Sequence, residues 1–428
     1  MKPADGPVPR LRFPEFRDAG PWEVKRLGEV YRFKPTNSWP RDRLNYEAGT
    51  IRNIHYGDIH KGLRPSFRLP EEILPFLDEE LADRLADDAY CEPGDVILAD
   101  ASEDLADIGK AIEIVEVDGE RVVSGLHTIL ATPIERRLIV GFAAYLFASS
   151  AVRKQIQERA QGAKVLGLSK SQLSEVLLAY PRHEPEQHRI ADCLTSLDEL
   201  IRAEGEVLAA LRDHKRGLMQ RLFPRPGETT PRLRFPEFRD AGPWEVKRLG
   251  EVCEINPPSG ELPESFIYID LESVSAGELL QKKVVSRNEA PSRAQRFLSP
   301  GDIIYQMVRP YQRNNLLFAI VDDMKYVAST GYAQLRAKSS AEFLFQLVHT
   351  DSFVGSVLQK CTGSNYPAIN PSDLGEIHVS VPSNPEQHRI ADCLASLDEL
   401  IRAQGARLAA LKAHKRGLMQ QLFPQGLA

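Results

Sequence analysis

Apolar residues in two stretches of the chain recur at alternating steps of four and three, the spacing of a long helix that packs in a coiled coil. Each stretch predicts a helix of about thirty residues, which would span roughly 50 Å. The first seam comprises Ile190, Leu194, Leu197, Ile201, Glu204, Leu208 and Leu211. The second comprises Ile390, Leu394, Leu397, Ile401, Gln404, Leu408 and Leu411. Pro185 and Pro385 at the first helical position, with Asn384 as a cap, mark the predicted starts.

The two seams have the same polar breaks, so the two helices are predicted to pack on each other. An antiparallel pairing would bring Glu204 and Gln404, which lie near the middle of their helices, close enough to hydrogen-bond. Such a buried polar pair would fix the register of the helices at some cost in stability. The alternative is that each helix pairs with a helix of another protein.

The predicted helices belong to a larger repeat. Residues 9–30 recur at 231–252 with all 22 positions unchanged, and residues 185–224 recur at 385–424 with 33 of 40 positions identical. A recent duplication would explain this identity, but it would also have left the intervening segments similar. Those segments share little beyond a Pro-Gly-Asp turn.

The identity extends to residue types that are usually exposed. Glu186, Gln187, His188, Lys215 and Arg216 all recur, although core packing specifies shape and apolarity rather than surface chemistry. Two copies of one surface predict two copies of one partner. Two unlike variable segments predict two targets, or two parts of one asymmetric target.

The variable segments, 31–184 and 253–384, mix short β-like runs with helical ones. Predicted strands cover 96–100, 111–117, 127–133, 302–308 and 316–321, and predicted helices cover 139–160, 170–180 (running into a strand) and 341–361. The order of elements is shared although the sequence is not. This pattern predicts one α/β scaffold that carries different loops, within a chain that is α+β as a whole.

Composition is that of an ordinary globular chain, with 428 residues, 42% hydrophobic and 27% charged, and a net charge of −6. The charge is sorted along the chain: residues 31–68 hold eight Lys or Arg against three Asp or Glu, and residues 282–315 hold seven against two. Sorted charge predicts a local basic face suited to phosphate, and clustered solvated faces are the alternative. No stretch approaches ~18 uninterrupted apolar residues, which predicts a cytoplasmic chain that does not enter a membrane.

Motifs that carry catalysis are missing from the sequence. There is no GxxxxGK[ST] phosphate loop, no G-x-S-x-G elbow and no HExxH zinc motif, and the five cysteines include no CxxC pair. Residues 256–259, Asn-Pro-Pro-Ser, approach an Asn-Pro-Pro-aromatic methyltransferase motif, but Ser259 cannot stack on a flipped base. We therefore expect a turn at 256–259, no metal or cofactor in this chain, and no catalytic site.

Five motifs carry a resemblance to a known family. They are the Glu-Gln-His-Arg-Ile-Ala start of each long helix, the repeated block at 9–30, the Pro-Gly-Asp turn of both variable segments, Gly-Leu-His-Thr-Ile-Leu-Ala-Thr-Pro at 125–133 and Gly-Ser-Asn-Tyr-Pro-Ala-Ile-Asn at 363–370. Over nearly its whole length the chain resembles the DNA-specificity subunit of type I restriction–modification systems.

The resemblance implies two α/β target-recognition domains separated by two long repeated helices that form an antiparallel coiled coil, in a pseudo-two-fold arrangement. The domains would be 1–184 and 225–384, each with its repeated block, and the helical segments would be 185–224 and 385–428. Each domain would read one half of a bipartite, asymmetric site on double-stranded DNA. Two methyltransferase subunits, with S-adenosylmethionine bound to them, would dock on the repeats, and a motor and nuclease subunit would join them. The rival class is a non-enzymatic scaffold whose domains bind two different proteins.

Base reading needs side chains that hydrogen-bond to base edges, with neighbouring donors on phosphates. In the second variable segment such side chains cluster after a predicted strand and in a glycine-bearing loop. The candidates there are Gln306, Arg309, Tyr311, Arg313, Asn314, Ser364, Asn365, Tyr366 and Asn370. A solvated polar loop is the alternative.

The first variable segment offers two candidate stretches, 161–170 and 52–61. The candidates are Lys164, Ser169 and Lys170 in the former and Asn53, His55, Tyr56 and Lys61 in the latter. Lys164 and Lys170 are natural phosphate contacts. For 52–61 the alternative is that Ile54 and Ile59 belong to the core and that Asp58 closes a turn.

Overall fold

The computed structural model describes residues 6–82, 84–86, 88–275, 277–363 and 365–426. Helices and strands alternate within two compact units, which confirms the predicted α+β class. The first unit contains residues 1–205 and 407–428, and the second unit contains residues 206–406. The division between the units therefore cuts both long helices instead of following their ends.

The first unit combines two mixed sheets with short helices. Its strands are β1 (Glu23–Arg26), β2 (Tyr31–Lys34), β3 (Leu44–Asn45), β4 (Ile51–Ile54), β5 (Ser66–Arg68), β6 (Phe76–Leu77), β7 (Val96–Ala99), β8 (Ala101–Ser102), β9 (Ala111–Glu116), β10 (Arg121–Ser124), β11 (Thr128–Pro133), β12 (Leu166–Gly167) and β13 (Leu177–Tyr180). Its helices are α1 (Leu27–Val30), α2 (Tyr56–Lys61), α3 (Glu79–Ala82), α4 (Ala143–Ala148), α5 (Ser150–Arg159), α6 (Lys170–Ser174) and the first half of α7 (Glu184–Leu222). The sheets are ordered β2-β11-β7-β9-β5 and β10-β4-β6-β3, while β1 pairs with β13 and β8 pairs with β12. The largest buried cluster lies between β7, β11, α4, α5 and the long helices.

The second unit repeats the central part of this plan. Its strands are β14 (Glu245–Arg248), β15 (Cys253–Ile255), β16 (Ser265–Ile269), β17 (Val274–Ser275), β18 (Glu278–Leu279), β19 (Lys283–Ser286), β20 (Ala294–Phe297), β21 (Asp302–Gln306), β22 (Leu316–Leu317), β23 (Tyr326–Ser329), β24 (Tyr332–Ala337) and β25 (His378–Val381). Its helices are α8 (Leu249–Val252), α9 (Ala341–Val348), α10 (Asp351–Lys360), α11 (Pro371–Gly375) and the first half of α12 (Asn384–Leu422). The sheets are ordered β15-β24-β21-β22 and β19-β16-β23-β20, while β14 pairs with β25 and β17 with β18. The neighbours β15, β24 and β21 correspond to β2, β11 and β7 of the first unit.

The two long helices, α7 and α12, are 39 residues each, longer than predicted. Their last turns stay helical because they remain covered: Leu222 and Leu422 are both 2% exposed. Asn384 is the first residue of α12 rather than its cap. Every predicted seam position is buried or half-buried, as expected for a coiled coil.

Within the first unit, the start of α7 packs against the end of α12. Leu194 shares a buried cluster with Phe423. About one turn after Leu194, Asp198 of α7 forms an ion pair with Lys415, which lies about two turns before Phe423. Residue numbers rise along α7 as they fall along α12. The pairing is therefore antiparallel and lies within the chain, as predicted.

The second unit shows the same pairing with the roles of the helices exchanged. Leu394 of α12 shares a buried cluster with Phe223 at the end of α7, and Lys215 forms an ion pair with Asp398 at 2.6 Å. These contacts confirm the antiparallel coiled coil in this half as well.

The middle of the seam contains the polar residues that were expected to set the register. Glu204 forms an ion pair with Arg407 at 2.6 Å. The predicted hydrogen bond between Glu204 and Gln404 stays a prediction.

The single helices predicted at 139–160 and 341–361 are each two helices, so this prediction was wrong. The backbone is extended at Ser149, between α4 and α5, and at Thr350, between α9 and α10. Each hydroxyl donates to the carbonyl three residues earlier, and the Thr350 hydroxyl also accepts a hydrogen bond from Phe353 N. Such side-chain bonds compete with the helical backbone bonds and end the first helix. The strand expected at 316–321 is likewise shortened to β22.

Each repeated block is fastened to the start of the next long helix by one buried carboxylate. Glu186 accepts two hydrogen bonds from Arg12, each of 2.7 Å, and one from Trp22 Nε1 at 3.2 Å. In the second unit Glu386 receives the same three contacts from the equivalent arginine and tryptophan. We call each of these groups a carboxylate clamp.

The clamps correct the expectation that the repeated polar residues form a partner surface. Glu186 and Gln187 are both 0% exposed, and Lys215 is held in its ion pair. Of the residue types singled out in the repeat, His188 and Arg216 are exposed. Internal hydrogen bonds therefore account for much of the identity between the repeats.

Candidate nucleic-acid interface

In the second unit the structure brings the two predicted DNA-contact loops together. One loop follows β21 and the other precedes α11. Arg309 N donates to Pro367 O at 2.7 Å, and Ile369 N donates to Met307 O at 3.1 Å. Because these backbone bonds run from one loop to the other, the two loops are held side by side.

Arg309 and Tyr366 form the centre of this pair of loops. The Arg309 guanidinium lies 4.3 Å from the centroid of the Tyr366 ring, within cation–π distance. The backbone of Arg309 is left-handed, with φ of 54°, a conformation that is strained for a non-glycine residue. Tyr366 stays 64% exposed. A guanidinium held over an exposed ring is suited to paired hydrogen bonds with a base edge.

Gln306 and Asn314 hold the loop from inside. Gln306 is 3% exposed, and its Nε2 donates to Gln312 Oε1 at 2.8 Å. Its Oε1 accepts a hydrogen bond from Asn314 N at 3.2 Å. The burial of Gln306 argues against direct contact between this side chain and DNA.

Arg313 braces the loop against α10. It donates to His349 O at 2.9 Å and forms an ion pair with Asp351 at 2.6 Å. This guanidinium lowers the pKa of Asp351, and burial lowers the pKa of His349 to about 4. The Arg313 guanidinium is therefore held within the unit by the backbone carbonyl of His349 and the carboxylate of Asp351.

The other candidates of the second unit differ in accessibility. Tyr311 is 49% exposed, and Asn365 is exposed. Asn370 caps α11, with its Oδ1 accepting from Asp373 N at 2.8 Å. Ser364 lies outside the described residues.

The loop before α6 in the first unit has the same closure as the loop before α11. Both loops are closed by equivalent backbone bridges, and Gly162 and Gly363 adopt φ of 137° and 88°. A Cβ on Gly162 would stand 2.0 Å from Val165 O, and one on Gly363 would stand 3.0 Å from Tyr366 O. The tight turn therefore requires glycine at both positions.

The candidates of this first loop have distinct environments. Lys164 is exposed. Lys170 is exposed too, and its Nζ donates to Lys34 O at 3.2 Å. Ser169 caps α6 by accepting from Gln172 N at 3.2 Å, the same position that Asn370 holds in the second unit.

The candidates in 52–61 are mostly turned into the first unit. Asn53 is 0% exposed, which argues against contact with DNA. His55 caps α2 by accepting from Gly57 N at 3.1 Å. Burial, with the nearby Arg41, lowers the pKa of His55 to about 4. Lys61 is exposed.

The alternative interpretation of the same stretch is confirmed for three residues. Ile54 and Ile59 are 0% and 3% exposed and belong to a core cluster. Asp58 closes the turn at the start of α2, because its Oδ2 accepts from His55 N at 3.0 Å.

Two residues that the sequence reasoning missed lie between the candidate stretches of the first unit. His127 Nδ1 is 3.3 Å from Asp100 Oδ1, and the ring of Tyr56 packs edge-on against that of His127 at 5.3 Å. Leu168 N donates to Asp100 O at 2.9 Å. The available signal was that Asp100 directly follows a buried strand and that His127 directly precedes one.

Neither a metal site nor a membrane span is evident in the described part of the chain. No group of three or more His, Cys, Asp or Glu side chains there is placed to hold a metal ion. None of the described helices is both long and apolar enough to cross a membrane.

Residues 242–413 match the sequence model of the family described as "type I restriction modification DNA specificity domain". The matched part of the chain runs from within the second repeated block through most of α12 and is similar in sequence to that family. The resemblance stated from the sequence motifs is thereby confirmed.

Relatives and a solved structure extend the likeness to the rest of the chain. The type I restriction enzyme MjaVIII specificity subunit of Methanocaldococcus jannaschii is 23% identical over 293 residues, covering 65% of this chain and 69% of the relative. The putative MjaX specificity subunit of the same organism is 23% identical over 418 residues, covering 94% and 92%. A crystal structure of a type I restriction–modification S subunit from M. genitalium has the same fold, with a TM-score of 0.60, 15% identity and coverage of 98% and 100%.

Proposed function

We propose that the chain is the DNA-specificity subunit of a type I restriction–modification complex and that each unit reads one half of a bipartite, asymmetric duplex site. The observation that carries this proposal is that each unit holds its candidate loops with equivalent backbone hydrogen bonds, which we call the shared frame. Asp100 N donates to His127 O and Met307 N donates to Gly331 O, each at 3.0 Å. The frame is shared, while the side chains on it differ.

The proposed reading surfaces are unlike in chemistry. The second unit offers the Arg309 and Tyr366 pair with the exposed Tyr311 and Asn365. The first unit offers exposed lysines, among them Lys164. Guanidinium and amide groups suit base edges, and lysines suit phosphates. Unlike surfaces on one frame support an asymmetric site rather than a palindromic one.

We further propose that the repeats dock two methyltransferase subunits, which carry S-adenosylmethionine, and that a motor and nuclease subunit joins them. Repeated residues that remain exposed support a surface present twice: Leu200 is 40% exposed and Leu400 is 55% exposed on the long helices. In this proposal the chain supplies recognition and contributes no catalytic group. The complex would act on DNA in the cytoplasm.

Salt dependence of binding tests the proposal against its rival. The full chain should bind a library of duplexes, and its affinity should fall roughly a thousandfold between ~50 and ~200 mM salt if it meets about six phosphates. Binding to proteins of a lysate with little salt dependence, and no binding to duplex, would favour the scaffold interpretation instead.

Exchange of one variable segment tests the division of labour. Replacing residues 253–383 by the variable segment of another specificity subunit should change the preferred sequence in one half-site and leave the other half unchanged. A change in both halves, or in neither, would contradict the assignment of one half-site to each unit.

A further inference from the structure

Asp100 is an acidic residue beside a lysine-bearing loop of the first unit. Asp100 lies next to the loop that bears Lys164 and Lys170, and its carboxylate experiences the charge of Lys170. A carboxylate repels phosphate, so it weakens the general attraction of this face for DNA. If this face binds DNA, a carboxylate there can contribute favourably only through a contact with a group other than phosphate.

Asp100 is fixed more firmly than a solvated surface acid. Its N donates to His127 O and its O accepts from Leu168 N, so its backbone is joined on both sides. The side chain is 28% exposed, and burial raises the pKa of its carboxyl group. It is therefore held in place at the surface, with part of the carboxylate open to a ligand.

His127 orients this carboxylate. Because a carboxylate only accepts hydrogen bonds, Nδ1 of His127 is the donor in the 3.3 Å contact with Asp100. His127 has φ of 54°, which is strained for a histidine, and the packing of Tyr56 against its ring supports it. The two side chains are thus arranged before any ligand binds.

The frame itself does not require this pair. The equivalent positions in the second unit hold Met307 and Gly331, which make the same backbone hydrogen bond. The acid and the imidazole are therefore additions to the first unit, at the point where its two candidate stretches meet.

We infer that Asp100, oriented by His127, is a specificity-determining residue that accepts a hydrogen bond from an exocyclic amino group, N4 of cytosine or N6 of adenine, at one position of the half-site read by the first unit. In the major groove these amino groups are the donors that a carboxylate can recognise. The inference rests on the proposed function, because it assumes that this face meets duplex DNA.

The first experiment compares Asp100→Ala with Glu103→Ala in the full chain. Glu103 is an exposed acid three residues further on, so the two variants remove the same charge from nearly the same place. Each variant is used to select sequences from a library of randomised duplexes. Both should bind duplexes that lack the preferred base more tightly, because a repulsive charge has gone. Only Asp100→Ala should lose preference at one base pair, by roughly 5- to 150-fold, because it has no side-chain acceptor.

A base analogue then tests the contact itself. The preferred duplex is prepared with the amino group of that one base removed. Wild type should bind it more weakly than the normal duplex, and Asp100→Ala should bind the two duplexes alike. His127→Gly, which suits the left-handed backbone, should weaken the preference at the same base pair.

The outcomes separate the inference from the proposed function. If Asp100→Ala keeps every base preference of the wild type, or if its loss falls in the half-site read by the second unit, the inference is overturned while DNA recognition stands. If the wild-type chain selects no sequence at all, the proposed function fails before any variant is compared.

Discussion

The two units of the chain share one backbone arrangement at the end of a central strand but carry different side chains on it. In both, a strand of the central sheet ends beside a glycine-closed loop that leads into a short capped helix, and equivalent backbone hydrogen bonds join the strand end to the loop. The first unit places Asp100 and His127 at this junction, whereas the second unit places Arg309 over Tyr366. The difference shows that one backbone arrangement can present chemically unlike side chains.

The two units are most alike at the carboxylate clamps, where a buried charged group joins each repeated block to a long helix. The carboxylate clamps repeat with nearly the same distances in both units, although the sheets that they support share little sequence. Substitutions in the carboxylate clamps should therefore affect the two units alike. Substitutions where the strand ends meet the loops should affect them differently.

The largest expected effect comes from breaking the clamps. Glu186→Ala would leave Arg12, whose side chain is 7% exposed, buried without its partner, which costs ~3–5 kcal/mol of unfolding free energy. Glu386→Ala should cost about as much in the second unit. Urea unfolding followed by tryptophan fluorescence measures both, since Trp22 and Trp244 lie in the clamps. A large cost in one unit and less than about 1 kcal/mol in the other would contradict the equivalence of the two frames.

A pH difference between the units is expected next. Burial raises the pKa of Glu113, which accepts hydrogen bonds from Gly141 N and Ala144 N, to about 7. The folded first unit therefore binds a proton that the unfolded chain releases near pH 4.5. This contribution to stability is full below about pH 4.5 and is lost as the pH rises through about 7, by about 3 kcal/mol in all.

In the second unit Ser340 caps the corresponding helix α9, so no such pH dependence is expected there. Glu113→Gln should flatten the decline in stability of the first unit between pH 5 and 8, measured by unfolding at each pH. An unchanged pH profile in the variant would show that Glu113 does not titrate as described.

Arg309→Ala tests whether the second unit reads a base edge at this position. If its guanidinium reads a base edge, the variant loses ~1–3 kcal/mol of binding free energy and relaxes preference at one position of one half-site. Arg309→Lys serves as the matched control, because it keeps the charge but not the planar fork. Uniform weakening across all sequences would instead mark Arg309 as a phosphate contact.

The smallest effect is expected from the lysines of the first unit. Lys164→Ala and Lys170→Ala should each reduce the slope of log affinity against log salt by about 1, with base preference unchanged, because phosphate contacts carry no sequence information. Binding measured at several salt concentrations gives the slopes. A selective loss of one base preference in either variant would assign that lysine to base reading.

Local patterns predicted the frame well, and the errors have local causes too. The coiled-coil spacing of Leu194 and Leu394 gave the helices and their antiparallel pairing, because a helix exposes the same face at every third or fourth residue. The single helices expected around Ser149 and Thr350 were wrong, because hydroxyl groups that bond the preceding turn interrupt an otherwise helical pattern.

The candidate site was predicted less completely, because residue type does not reveal burial. Tyr366 and Lys164 are exposed as a contact residue must be, whereas Asn53 and Gln306 are buried among groups of their own unit. Asp100 was overlooked because an acid argues against DNA contact until its neighbours are known.

By itself the sequence determined the repeats, the two long helices and the presence of two unlike variable regions, since these depend on residue spacing and identity. Only the tertiary structure decided which polar residues face inward. Glu186 is buried by Arg12, 174 residues away, and Asp100 is paired with His127, 27 residues away. Contacts over such distances depend on how the chain folds back on itself, and no local pattern of residues specifies them.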